Sequence, residues 1–336
     1  MKIHMLKMSE QQTTDEAFPE ERRRASNTSA PSQKRRDQED LNRKPSFFGR
    51  VPAVVWYGAM AFVLAVGAFR IWNVLLTSNL ATSPAIPWSV AVMALLLWAM
   101  WQYLGGRWWP RSTSQSRRRY LRARSLPGRV FAWAVAAGLL STIALVGGWI
   151  VLLQVLKIPT RVLPNFFSYP PLTAILVLIM ASLVSSLVEE ASIRGYFLGA
   201  LEQKVSGPVA IVIAALLISP GHSMTQGFLW PIMLWYFFSD VMFGAMAYLT
   251  KSILPGAIVH SIGLLIFFTL VWPYDAQWRQ TWATGANTGF WIAAVSTIIF
   301  TVLALLAFIQ LALVAKRAQA MRDNPFPPAL ADESGR

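Results

Sequence analysis

Eight apolar stretches, most of them about 17 to 28 residues long, constrain this chain more than any other feature, because a helix of that length crosses a hydrocarbon core of about 30 Å. Of the 336 residues, 55% are hydrophobic and 14% are charged, which excludes an ordinary soluble domain. The sequence predicts an all-α fold, a polytopic transmembrane bundle of about eight helices. The stretches occupy approximately 51–76, 86–104, 130–156, 172–198, 208–222, 229–249, 253–272 and 289–315.

The polar segments divide the chain further. Residues 1–50 are too polar to bury a core and are predicted to be a disordered basic tail in the cytoplasm. Residues 51–171 are predicted to hold the N-terminal transmembrane helices, joined by a basic cytoplasmic loop at 105–129. Residues 172–272 are predicted to form the functional core, and residues 273–336 the final helix with a cytoplasmic tail.

The basic residues predict the orientation of the bundle. The net charge of +14 arises from 30 Lys and Arg against 16 Asp and Glu, and such an excess collects in cytoplasmic loops of membrane proteins. An eight-helix arrangement with both termini in the cytoplasm places 25 basic residues inside and three outside. Cytoplasmic N and C termini are therefore expected. The fifth stretch is short, and Pro220 and Gly221 are expected to break it before its outer end.

The loop at 105–129 holds eight basic residues and no acidic one. With Trp108 and Trp109 as interfacial anchors, it is predicted to bind anionic lipid headgroups, or only to enforce the topology. A nucleic-acid partner is not expected. The chain has no cysteine, which excludes disulfides, thiolate nucleophiles and Cys-ligated zinc.

Ionisable residues inside the apolar stretches indicate where function lies, because each costs about 2.5 to 3.5 kcal/mol at the bilayer centre. Six of the seven fall between residues 189 and 260, and two of the three histidines in the chain are among them. The seven are Arg70, Glu189, Glu190, Arg194, His222, Asp240 and His260.

Helical spacing predicts how these groups are arranged. Glu190 and Arg194 stand four residues apart on one face and are predicted to pair, which leaves Glu189 free to act. Counted from the intervening cytoplasmic turn, Glu189 and His222 lie at the same depth, about 22 to 24 Å along antiparallel helices. His260 is expected somewhat nearer the cytoplasm, at about 14 Å, unless its helix begins lower.

Small residues accompany this set. Ser182 and Ser186 lie on the same helical face as Glu189 and form a polar stripe that is expected to face the bundle. Gly256, four residues before His260, permits close approach of another helix on that face.

A carboxylate level with an imidazole, shielded from water, suits general-base catalysis. Glu189 is predicted to remove a proton from a water molecule that attacks a carbonyl, and His260 to bind the developing oxyanion. The same Glu189, His222 and His260 also form a candidate zinc site of two His and one Glu. No HExxH spacing supports zinc, so the expected chemistry requires no cofactor and zinc remains an alternative.

The string EEASIRGYF from Glu189 to Phe197 resembles the EExxxR signature of the CAAX protease and bacteriocin-processing (CPBP, or Abi) family. His222 is similar to the histidine of its FxxxH motif, and His260 to that of its HxxxN motif. The resemblance spans roughly residues 172–272. It implies a polytopic intramembrane endopeptidase, like the type II CAAX prenyl proteases, whose members were first described as metalloproteases.

The resemblance also implies roles for individual residues. Glu189 and His222 would activate water, and His260 would form the oxyanion hole with the motif asparagine; Glu190 and Arg194 complete the signature. Two positions depart from the motifs: Ile218 replaces the phenylalanine, and Leu264 replaces the asparagine. Loss of one oxyanion donor costs on the order of 10² to 10³ in rate.

Three functions remain open. The first is an endopeptidase that cleaves a membrane-associated peptide or protein near the cytoplasmic membrane face. The second, motivated by Leu264, is a non-catalytic membrane binding protein that keeps the family pocket. The third is a proton-coupled transporter, motivated by the buried Asp240, which is expected to pair with His260 or Arg194. From the breadth of the family, a bacterial plasma membrane is the expected location.

Overall fold

The computed structural model describes residues 52–156, 158, 168–226, 228–274 and 288–323. In these ranges the chain is helical and has no β-strand, which confirms the all-α prediction. The predicted tail at 1–50 lies outside the described residues. The helices in chain order are α1 (Ala53–Ala81), α2 (Trp88–Leu104), α3 (Ser114–Leu121), α4 (Gly128–Val155), α5 (Pro171–Leu201), α6 (Gly207–Gln226), α7 (Trp230–Thr250), α8 (Leu254–Tyr274) and α9 (Thr288–Asp323).

Eight of these helices correspond to the eight predicted stretches. Six are long and apolar enough to cross a membrane, namely α1, α4, α5, α7, α8 and α9. The other two apolar segments, α2 and Gly207–His222 of α6, are shorter. Helix α3 is an eight-residue helix within the basic loop that the apolar pattern does not predict. The protein is therefore a multi-pass membrane protein; the cytoplasmic position of its termini stays a prediction.

The expected break at Pro220 is wrong, because α6 continues through this residue to Gln226. A proline inside a helix removes one hydrogen bond and costs about 3 kcal/mol. The first turns of α6 bury Ala210 and Ala214 in a core cluster with Ala247 of α7. This packing holds the part of the helix that precedes the proline.

Packing of α4 against α9 brings two basic segments of the chain to the same end of the bundle. Val130 and Ala134, near the start of α4, share a buried cluster with Leu311 and Ala315, near the end of α9. The two helices are therefore antiparallel, and the basic loop before α4 lies at the same end as the basic residues that follow Ala315.

Three chain reversals at this end of the bundle are joined by an ion cluster around Glu202. Its two carboxylate oxygens accept hydrogen bonds of 2.8 Å from the Arg122 guanidinium, and Lys251 Nζ lies 2.9 Å away. Arg122 and Lys251 end helices α3 and α7 in the left-handed conformation, each with φ of 54°. The Arg122 carbonyl also accepts a hydrogen bond from Ile253 N. The cluster thus ties the basic loop to the ends of α5 and α7.

The charges determine how this cluster responds to pH. Burial alone raises the pKa of the Glu202 carboxyl, but Arg122 and then Lys251 outweigh burial and hold the pKa below its ordinary value of 4.5. Since the folded-state pKa is depressed, the stabilisation is complete above pH 4.5 and is lost as the pH falls through the folded-state pKa.

Replacing Glu202 by Gln is expected to lower the free energy of unfolding by about 1 to 3 kcal/mol at neutral pH, because two cations lose their carboxylate partner. The difference from wild type shrinks as the pH falls below 4.5. Denaturant unfolding in detergent over a pH series measures it. Arg111→Gln, which removes an exposed charge, serves as the control and should change stability by less than about 0.5 kcal/mol. A loss independent of pH would contradict the ionic cause.

Candidate active site

Helix α5 changes its geometry where it carries three of the predicted site residues. It is α-helical up to Glu189 and π-helical over Glu190–Phe197, a segment in which every residue is buried. In a π-helix the hydrogen bonds span five residues, and such segments are frequent at functional sites. Arg194 consequently lies close to both carboxylates, with Nη1 3.7 Å from Glu189 Oε2 and Nε 3.7 Å from Glu190 Oε1. Sequence spacing predicts only the pair with Glu190; the wider turn adds Glu189.

The π-helical segment is braced by helix α3. A Cβ atom at Gly195 would lie 3.0 and 3.1 Å from the carbonyl oxygens of Tyr120 and Leu121, so a larger residue would push against this backbone. The next residue, Tyr196, is fully buried, and its hydroxyl lies 3.2 Å from the carbonyl oxygen of Arg117, to which it donates. The basic loop therefore supports the helix segment that positions the site.

The Glu189 carboxylate faces both membrane histidines. Its Oε2 lies 4.0 Å from His222 Nε2 of α6 and 3.9 Å from His260 Nε2 of α8. Each separation is shorter than the combined length of two hydrogen bonds of about 2.8 Å, so the carboxylate and an imidazole are within reach of a single bridging water molecule. The Glu189 and His222 side chains are 24% and 26% exposed, which leaves this part of the site accessible.

Glu190 orients the second histidine. Its side chain is fully buried, and its Oε1 lies 3.2 Å from His260 Nδ1. An ionised carboxylate only accepts, so Nδ1 donates this hydrogen bond and Nε2 is the ring nitrogen directed toward Glu189. The two adjacent glutamates thus contact opposite sides of His260.

Asp240 provides the closest partner of Arg194. Its Oδ1 lies 2.5 Å from Arg194 Nη2, and its Oδ2 accepts a hydrogen bond of 3.3 Å from the Ser219 hydroxyl. The structure thereby selects Arg194 over His260 as the partner of Asp240. Of the seven intramembrane ionisable residues, six meet at this site; Arg70, exposed on α1, makes no ion pair with them in the described part of the chain.

The predicted polar stripe on α5 points into the bundle. Ser182 and Ser186 are buried, and the Ser186 hydroxyl lies 2.5 Å from the hydroxyl of Ser261, the residue after His260. Ser261 also donates to the carbonyl oxygen of Ala257 at 2.7 Å. These hydroxyls join α5 to α8 directly beside the two glutamates.

Sequence reasoning missed two aromatic residues of α7 that stack on the histidines. The Tyr236 and His222 ring centroids lie 4.5 Å apart with planes 10° from parallel. The Phe243 and His260 centroids are also 4.5 Å apart, with planes 23° from parallel. The seven-residue spacing of Tyr236 and Phe243 is the signal that was available, because it places both rings on one helical face.

Leu264 lies one helical turn after His260, and its side chain has no hydrogen-bond donor. No side-chain amide therefore stands where the family motif has asparagine.

The distances at the site also test whether it fits zinc. In a tetrahedral zinc site with ligand bonds of about 2.0 to 2.2 Å, the ligand atoms lie about 3.3 to 3.6 Å apart. The separations of 4.0 and 3.9 Å from Glu189 to the histidines exceed this range. No described group of three His, Asp or Glu has metal-binding geometry. The residues as they lie do not fit zinc.

The long apolar helices and their shared polar centre place the chain among multi-pass membrane proteins with a buried carboxylate and imidazole site. Residues 171–266 match the model of the family described as type II CAAX prenyl endopeptidase Rce1-like. The match covers α5 to α7 and most of α8, which supply every residue of the site, and it confirms the resemblance seen in the motifs. No curated protein and no solved structure matched the chain. The matched family is one of proteases, which supports a peptidase.

Gly256 provides a test of how tightly Glu190 is held. A Cβ atom at this position would lie 2.6 Å from Glu190 Oε2, and the buried carboxylate has to move to admit it. Gly256→Ala is therefore expected to lower the free energy of unfolding by about 1 to 3 kcal/mol, measured by denaturant unfolding in detergent.

The matched control is Gly221→Ala, on α6 beside His222, because a Cβ atom there meets nothing within 4 Å. This control is expected to be neutral or stabilising by up to about 1 kcal/mol. Equal stability of Gly256→Ala and wild type would show that Glu190 is not confined at this contact.

Proposed function

We propose that this protein is an intramembrane endopeptidase of the CAAX prenyl protease type. The main support for this proposal is that Glu189, His222 and His260 converge from three helices. The Nε2 atoms of both histidines lie within 4.0 Å of one carboxylate oxygen of Glu189. General-base catalysis requires such a carboxylate within hydrogen-bond or one-water reach of its partners. The family match over residues 171–266 independently supports peptide hydrolysis.

In the proposed mechanism, Glu189 and His222 hold a water molecule, and Glu189 removes one proton as the water oxygen attacks the carbonyl carbon of the scissile peptide bond. In its doubly protonated form His260 donates a hydrogen bond from Nε2 to the resulting oxyanion, while its Nδ1–H remains bonded to Glu190. When the intermediate collapses, the C–N bond breaks and the proton held by Glu189 passes to the leaving amine. Side chains alone carry out these steps, and no metal takes part in them.

The proposed substrates are membrane-associated peptides or proteins, since three of the four site helices, α5, α7 and α8, are long and apolar enough to span the membrane. Prenylated proteins, bacteriocin leaders and tails of membrane proteins all fit this description. The proposed location is a bacterial plasma membrane, with the basic end of the bundle on the cytoplasmic side.

The second candidate function is binding without catalysis. It is favoured by Leu264, which supplies no amide where the family motif has asparagine. Such a protein would keep the pocket for a peptide or lipid and would bind it without breaking a bond.

The Glu189→Gln variant separates the two functions. If Glu189 is the general base, the wild type cleaves members of a library of prenylated and unprenylated membrane peptides, and the variant loses cleavage by at least about 10²-fold. Mass spectrometry of the products in detergent or proteoliposomes measures this. Glu202→Gln is the control, as the same substitution at the end of the same helix, outside the site. Equal cleavage by wild type and Glu189→Gln would exclude the assigned role, and binding without cleavage by either would favour the second function.

We also propose that the loop at 105–129 binds anionic lipid headgroups. Arg117 is buried and donates to the Trp108 and Pro110 carbonyl oxygens, so it is not available to a headgroup. Arg111 and Arg119 are exposed, and Trp109, two residues before Arg111, is 84% exposed, which gives the loop an interfacial anchor as well as exposed positive charge.

The double variant Arg111→Gln/Arg119→Gln is expected to weaken binding of phosphatidylglycerol by about 1 kcal/mol per arginine removed. Native mass spectrometry of lipid adducts, with phosphatidylcholine as the neutral lipid, measures the change. The control is Arg317→Gln/Arg322→Gln, which removes the same charge from exposed positions on α9. An equal loss in both double variants would show that only net charge matters and would contradict a site on the loop.

A further inference from the structure

One face of helix α7 contacts a basic side chain from each of the other three helices that build the site. Tyr236, Asp240 and Phe243 follow the spacing i, i+4, i+7 and so lie on the same face. The contacts are Tyr236 with His222 of α6, Asp240 with Arg194 of α5, and Phe243 with His260 of α8. Helix α7 itself contributes no residue to the proposed proton transfers.

The two ring stacks determine the plane of each imidazole. The Tyr236 ring lies 4.5 Å from the His222 imidazole and only 10° from parallel to it, so it keeps this imidazole in one plane. The Phe243 ring does the same for His260, at 4.5 Å and 23°. The N–H groups and lone pairs of an imidazole lie in its ring plane. Fixing the plane therefore fixes the direction in which each Nε2 meets Glu189.

Phe243 is well placed to hold its partner. It is buried, it lies in the core cluster that includes Val259 of α8, and its ring also lies 5.4 Å from the guanidinium carbon of Arg194. The imidazole of His260 is thus confined between a flat ring on one face and the Glu190 contact at its Nδ1 edge.

We propose that Tyr236 and Phe243 are positioning residues of the active site, whose rings hold His222 and His260 in the planes that direct their Nε2 atoms to Glu189. The catalytic consequence rests on the proposed hydrolase function, whereas the ring geometry does not. An aliphatic side chain of similar size would fill the space and leave the imidazole plane free to rotate.

The geometry is tested by NMR of protein labelled only at histidine. The chain has three histidines, and His4, far from the site in sequence, serves as the internal reference. Protons above an aromatic ring resonate upfield, so His222 should lose its upfield shift in Tyr236→Leu and His260 in Phe243→Leu. Tyr236→Phe and Phe243→Tyr should retain the shifts.

Phe238→Leu is the matched control, because Phe238 lies on the same helix, is 60% exposed, and contacts Phe237 edge to face rather than stacking on a histidine. It should leave both histidine resonances unchanged. Histidine shifts that are the same in wild type and in the two leucine variants would overturn the proposal.

The catalytic consequence is tested on the peptide that the wild type cleaves best. The two leucine variants should lose on the order of 10²-fold in kcat with KM unchanged, as expected for misplaced catalytic groups, and the aromatic variants should recover it. Unchanged kcat in a leucine variant that has lost the ring shift would overturn the positioning role while the hydrolase function stands. If the wild type cleaves nothing, the hydrolase function fails, and the NMR comparison alone decides whether the rings hold the imidazoles.

Discussion

A guanidinium buried among three carboxylates is the interaction on which the rest of the site depends. Arg194 is only 2% exposed and lies within 3.7 Å of Glu189, Glu190 and Asp240. Without this cation, three neighbouring carboxylates could not all remain ionised in the interior of a membrane bundle. Because Asp240 takes the shortest contact, the two glutamates keep oxygen atoms for the histidines. The charge balance therefore both permits the acidic pair and leaves it available for chemistry.

The transmembrane architecture was predictable because it follows from length and hydropathy alone. A stretch such as 130–156 has one stable form in a bilayer, a helix whose backbone bonds are satisfied internally. Helix α3 was not predictable in this way, since its sequence SQSRRRYL carries no apolar period. The continuation of α6 through Pro220 was also hidden, because it depends on packing against α7 rather than on local preference.

The site was predictable to the extent that depth in the membrane can be counted. Glu189 and His222 are equally distant from the turn between their helices, and the structure places them together. His260 also lies against both glutamates, where α8 packs directly on α5 at Gly256, and depth counting alone does not predict this contact. Contacts across helices depend on such rotations and offsets. For the same reason the sequence left the partner of Asp240 undecided, and the aromatic stacks on the histidines were missed.

The π-helical segment at Glu190–Phe197 makes the spacing of this site depend on the number of residues as much as on their identity. One guanidinium reaches carboxylates four and five residues away only because the turn is widened. Deleting a single residue from the segment would remove the widened turn and with it the present spacing of Glu189, Glu190 and Arg194. We therefore expect homologous chains to vary in side chains along this segment far more freely than in its length.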